Sequence, residues 1–153
     1  MSRTRTRGYS LVELVVVVAL ILVLTAMIVP VARFNWTRMK EMELKEALRN
    51  MRTAIDDYKR LSDQGLIPVE LGTEGYPKEL EDLVKGVELV GQVKKVRKFL
   101  RKVPIDPMTG EAEWGLRSLQ DEPDSTSWGR QNVYDVYSLS EKTALDGTKY
   151  KDW

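Results

Sequence analysis

Between Leu14 and Ala32 every residue is apolar except Thr25 and Pro30. As a helix this run is about 28 Å long, the thickness of a bilayer's hydrocarbon core. It reads as a membrane span. One carboxylate, Glu13, stands at its head. A charge near hydrocarbon is costly, so an acid in that place is a functional candidate. Upstream lies a short leader, Ser2 to Arg7, with Arg3, Arg5 and Arg7 and no acid, followed by Gly8. An ordinary secretory signal peptide is the competing reading. Against it, the run is longer than a usual signal core and the acid at its head is awkward. The candidate cut sites are also poor, with Leu24 or Pro30 where a small residue belongs. A plain signal-anchor with Glu13 resting at the interface is a third reading. Physics alone leaves Glu13 either functional or merely interfacial.

Arg7-Gly8-Tyr9-Ser10-Leu11-Val12-Glu13, running directly into the span, resembles the N-terminus of type IV pilin-like proteins. The resemblance implies that a dedicated prepilin peptidase cuts between Gly8 and Tyr9. It implies N-methylation of Tyr9 and a role for Glu13 in assembly. Tyr9 departs from the family's usual Phe but keeps an aromatic ring, and Pro30 matches the family's helix-breaking proline. The chain then divides into a leader (1–8), a transmembrane and assembly helix (9–32) and a periplasmic domain (33–153). Charge does not settle orientation, because Arg33, Arg38 and Lys40 follow the span as closely as the leader arginines precede it. The cytoplasmic leader and the domain outside the inner membrane are what the resemblance implies.

Net charge is +1 and falls to −2 without the three leader arginines, which gives no sign of a nucleic-acid partner. The sequence holds no cysteine, so an exported domain must be held without disulfides, by packing or by a metal. It holds no histidine, which removes the commonest general base and transition-metal ligand. There is no glycine-rich phosphate loop, nucleophile elbow or zinc-protease motif. No catalytic residue is assigned and no enzyme activity is expected.

Beyond Pro30, Leu44, Leu48, Met51, Ile55, Tyr58 and Leu61 recur at spacings of three and four, which predicts one long helix from the membrane to about Asp63. Pro30 should kink or loosen it. Asp56 and Arg60 are spaced for an ion pair, and Gly65 is a natural stop. Tyr76-Pro77 opens a short second helix with Leu80, Leu83 and Val84 on one side. Val93, Val96, Phe99, Leu100 and Val103 suggest a further helical turn or two. Its polar side, Lys94, Lys95, Arg97, Lys98, Arg101 and Lys102, is a solvated face or a contact strip for an acidic neighbour or anionic headgroups. Ala112–Leu116 and Val133–Leu139 read as strands flanking the acidic loop 121–127. The Trp36 indole suits a membrane edge.

Leu100-Arg101-Lys102-Val103-Pro104-Ile105-Asp106-Pro107 and Tyr134-Asp135-Val136-Tyr137-Ser138-Leu139 resemble segments of the major pseudopilins of type II secretion. That resemblance implies an α+β, pilin-like fold whose long N-terminal helix spans the membrane with its first half and packs on a small C-terminal antiparallel sheet with its second. It also implies a homopolymeric pseudopilus with an inner-membrane assembly platform and minor pseudopilins as partners, and membrane lipid before assembly. A type IV pilin of a surface filament and a non-polymerising membrane-anchored binding module are the alternatives. In the pseudopilins the loop after the Tyr-Ser-Leu strand binds calcium, which prefers six to eight hard oxygens. Glu141, Asp146 and Asp152 are the candidate carboxylates here, with carbonyls of Leu139 and Thr148. Lys142 falls where a family acid is missing, and a solvated Asp146-Gly147 turn is the alternative.

Overall fold

The computed structural model describes residues 9–91 and 95–153, the side chains at 27 and 29–31 excepted. One helix, α1 (Leu11–Asp63), is unbroken through Pro30 and contributes to two compact units, Met1–Arg38 and Met39–Trp153. In the first unit the large apolar side chains of α1 are exposed all round, from 80% at Leu11 to 47% at Val18. Among the described residues no helix is long and apolar enough to cross a membrane. The uninterrupted run of described side chains in this part of α1 stops at Ala26.

In the second unit α1 is amphipathic. Leu44, Leu48, Met51, Ile55 and Tyr58 form one buried face, as their spacing predicts. The helix ends where Gly65 takes a left-handed φ of 70°. Gly65 N–H bonds the Ser62 carbonyl at 2.9 Å and Leu66 N–H the Leu61 carbonyl at 3.0 Å, the paired bonds of a glycine C-terminal cap. Arg60 pairs with Asp57 rather than Asp56, and Lys59 pairs with Asp63. These are three- and four-residue neighbours on the exposed face, so the pattern stands although the partner differs.

The second helix, α2 (Asp82–Lys85), is shorter than the pattern suggests and buries Leu83. The segment expected to continue as helix beyond it is instead a hairpin, β1 (Val87–Glu88) against β2 (Val96–Arg97), antiparallel, with Val93 and Lys94 outside the described residues. Gly86 explains the difference. Its φ is 83°, and a Cβ there would lie 2.6 Å from the Arg97 carbonyl oxygen. Only glycine lets β2 approach this closely, and the β-branched valines suit an extended chain. A second antiparallel pair joins β3 (Gly115–Arg117) to β4 (Asp135–Tyr137), with Gly115 opposite Tyr137, Leu116 opposite Val136 and Arg117 opposite Asp135. β4 is the centre of the stretch expected, whereas β3 overlaps only the end of its expected stretch and extends one residue beyond it, to Arg117.

The fold is therefore α+β: the second half of the long helix shares one core with a small antiparallel sheet, as in a pilin-like fold. Trp114, Val133, Val136, Ala144 and Tyr150 complete the cluster around the α1 face. The Trp114 indole N–H donates to the Pro104 carbonyl at 2.9 Å. Asp106 is buried, accepts from Met108 N–H at 2.7 Å and takes the Ser138 hydroxyl at 2.6 Å, so it fastens the turn ahead of β3 to the end of β4.

Gly115 gives a test of this sheet. The Tyr137 ring crosses it so closely that a Cβ would lie 2.2 Å from Cζ, and the Arg117 guanidinium covers the ring 4.2 Å from its centroid. Gly115→Ala should destabilise the full-length protein in detergent by about 1–3 kcal/mol, the range for overpacking. In a Tyr137→Leu background the same change should cost much less, because the two sites couple directly. Equal losses in both backgrounds, read from denaturation midpoints, would contradict the close approach.

Candidate functional site

The N-terminal site is built on the first turn of α1. Ser10 precedes the helix and its carbonyl accepts Leu14 N–H at 3.1 Å. Glu13 is in the first turn, where the helix dipole favours an anion. Ser10-Leu11-Val12-Glu13 has the spacing of a capping box, in which the acid would turn back to the Ser10 N–H. That reciprocal bond is not made: among the described residues Glu13 forms no hydrogen bond or ion pair. Tyr9, Glu13 and Val17 follow at four-residue intervals and, with Leu14, line a shallow concavity of about 320 Å³. Tyr9 is 83% exposed. Gly8 lies outside the described residues. The site thus presents an unpartnered carboxylate beside an exposed aromatic at the head of an apolar helix.

The acidic tail is organised differently from a calcium loop. Asp146 and Asp152 line one groove of about 600 Å³, but Lys45, Arg49 and Arg52 of α1 line it too. Asp146 Oδ1 is taken by the Thr148 hydroxyl at 2.6 Å and the Thr148 N–H at 3.0 Å. These two bonds and the Lys45 charge hold its carboxyl below the usual range. The Thr148 carbonyl accepts Ala144 N–H at 2.7 Å. Glu141 does not line the groove, and among the described residues no three carboxylates converge on a point where a metal could sit. A divalent cation would have Lys45, Arg49 and Arg52 beside it here. Among the described residues the carboxylates expected to hold calcium do not meet at one point.

Side chains of α1 clamp the tail instead, a role sequence reading missed. Arg52 donates to Asp135 at 2.7 and 3.3 Å, to the Val136 carbonyl at 3.0 Å and to the Trp153 carbonyl at 2.6 Å. Glu41 Oε1 accepts Leu145 N–H at 2.8 Å and the Tyr150 hydroxyl at 3.0 Å. Lys45 Nζ sits 4.2 Å from the centroid of the Trp153 ring, and that indole donates to the Thr148 hydroxyl at 2.7 Å. Residues 41, 45 and 52 share one helix face through spacings of four and seven. The only signal of this in the sequence is that charges fall on a face flanking the apolar stripe.

Residues 3–29 match a family model described as the prokaryotic N-terminal methylation motif. No curated protein and no solved structure matches the chain. The matched residues take in Gly8, Tyr9, Glu13 and most of the apolar run, so the leader is of the type IV pilin-like kind and points to membrane anchoring.

Three outcomes follow for the tail. Millimolar calcium should leave the melting temperature of the full-length protein unchanged, whereas Arg52→Met should lower stability by about 2 kcal/mol, since several charge-assisted bonds go with a half-exposed guanidinium. A calcium-dependent rise in melting temperature would mean the tail rearranges around the ion. The Tyr150 phenol is pushed up to about 12 by burial first and by its bond to Glu41 second. A raised folded value means that this stability is complete below the unfolded value, about pH 10, and is lost as pH rises toward 12. Tyr150→Phe should therefore flatten the fall in stability between those limits, measured by denaturation at stepped alkaline pH. An unchanged slope would contradict the burial of the phenol.

Proposed function

We propose that this chain is the structural subunit of a type II secretion pseudopilus, without enzymatic activity. After the leader is cut, subunits polymerise into a periplasmic filament that helps export folded proteins. The observation that carries the reading is the methylation-motif match joined to a Glu13 that has no partner among the described residues and stands at the head of the apolar first part of α1. Before assembly the segment 9–32 spans the inner membrane, with the remaining domain in the periplasm. Its valine run is a poor helix former in water, but in hydrocarbon each backbone group must be satisfied within its own segment, which makes helix the only solution.

Cleavage between Gly8 and Tyr9 creates a new α-amine. In a filament core of bundled α1 helices Glu13 needs a cation, and that amine on a neighbouring subunit supplies one within the same assembly. Peptidase, inner-membrane platform and minor pseudopilins are the partners this process calls for. The pseudopilin-like strings around Asp106 and β4, and the absence of cysteine, favour a pseudopilus over a surface pilus.

Glu13→Leu tests the reading. It removes a charge from the head of the span, so membrane insertion should stay the same or improve. Filament yield should fall sharply, because the incoming amine loses its partner. Filaments at the wild-type level from Glu13→Leu would make Glu13 an interfacial residue and contradict the proposed role.

A further inference from the structure

The charges of this chain are segregated, and the neutral total hides it. Residues 89–102 hold six lysines and arginines and no acid. Residues 103–153 hold ten acids and five bases, a net −5. Lys95, Arg97, Lys98, Arg101 and Lys102 are all exposed, and none takes part in an ion pair among the described residues. They border the β1–β2 hairpin, which lies against the C-terminal end of α1 beside Arg60 and Leu61. Exposed Val96, at 48%, stands in the middle of the strip.

The loop from β3 to β4 presents the opposite sign. Asp121 is spent internally, accepting from Ser118 N–H at 2.7 Å and Gly129 N–H at 3.1 Å, and these bonds give the loop its shape. Glu122 and Asp124 project from it, exposed and without an ion-pair partner among the described residues. Leu119, 44% exposed, is the apolar counterpart of Val96.

We propose that the basic strip around Lys98 and Arg101 docks on the Glu122–Asp124 turn of a second copy of this chain. The inference rests on the polymer reading and adds to it a contact outside the helical core. Strip and turn are different surfaces, so the contact is heterologous: each subunit offers one and receives on the other. Such contacts propagate into an open helical filament when the rotation between successive subunits does not close a ring. Opposite potentials also steer encounter and set register, and juxtaposed like charges penalise wrong registers. Because the charges are exposed, the contact weakens as salt rises.

Charge reversal in the full-length chain in its native host tests this. Lys98→Glu with Arg101→Glu, or Glu122→Lys with Asp124→Lys, should each lower filament yield by about tenfold or more, since like charges would then face each other. One chain carrying all four changes should regain near wild-type yield, because complementarity returns with its polarity reversed. Melting temperatures should stay close to wild type, as all four side chains are exposed. Wild-type yield from either reversed pair, or no rescue in the fourfold variant, overturns the contact. So does a Lys98→Glu, Arg101→Glu chain that loses binding to phosphatidylglycerol vesicles yet assembles normally, which assigns the strip to lipid. Filaments in the wild type alongside any of these results leave the polymer reading standing, whereas absence of wild-type filaments overturns both.

Discussion

The fold of residues 39–153 depends on one buried stripe. Leu44, Leu48, Met51 and Ile55 are almost wholly excluded from solvent on a single face of α1. Burying such side chains is worth about 1.5–3 kcal/mol each. The sheet elements cannot stand alone: the strands are two or three residues long, and isolated two-stranded hairpins are at best marginal in water. They persist because Val133, Val136 and Trp114 meet the helix in one cluster. The sheet is an accessory to the helix, and a single long helix supplies both the scaffold of the domain and the apolar segment that precedes it.

Electrostatics divides along the same helix. In its second half three of the charges flanking the stripe are used internally. Glu41, Lys45 and Arg52 reach across about a hundred residues of sequence to hold the tail. At its first turn the one charge, Glu13, is left unused within the described chain. A carboxylate at the head of an apolar helix without a partner is costly to keep unless something outside the chain completes it. Glu13, at the head of the apolar segment with no partner among the described residues, is the physical basis of the assembly reading.

The features legible in the sequence are those set by local periodicity. The 3.6-residue stripe, the Gly65 stop and the strand around Val136 each have a short-range cause, and each appears where expected. The Val93–Val103 segment misled because apolar spacings of three and four fit a helix equally well; the deciding fact is the contact between Gly86 and β2, which no local pattern contains. The tail was illegible for a similar reason. Its holders are about a hundred positions away on α1, and no local pattern shows that Lys45, Arg49 and Arg52 stand beside Asp146 and Asp152. Lys142, where an acid was wanted, was the one local warning.

A helix head that is a processed assembly site leaves its mark on the covalent state of the mature N-terminus. Intact-mass and N-terminal fragment analysis of protein from its native host should show a chain that begins at Tyr9 and carries one methyl group on its α-amine. A mature chain that begins at Met27 or Arg33 would mean conventional signal-peptide removal. The span and Glu13 would then be lost with the leader, and the account would be wrong.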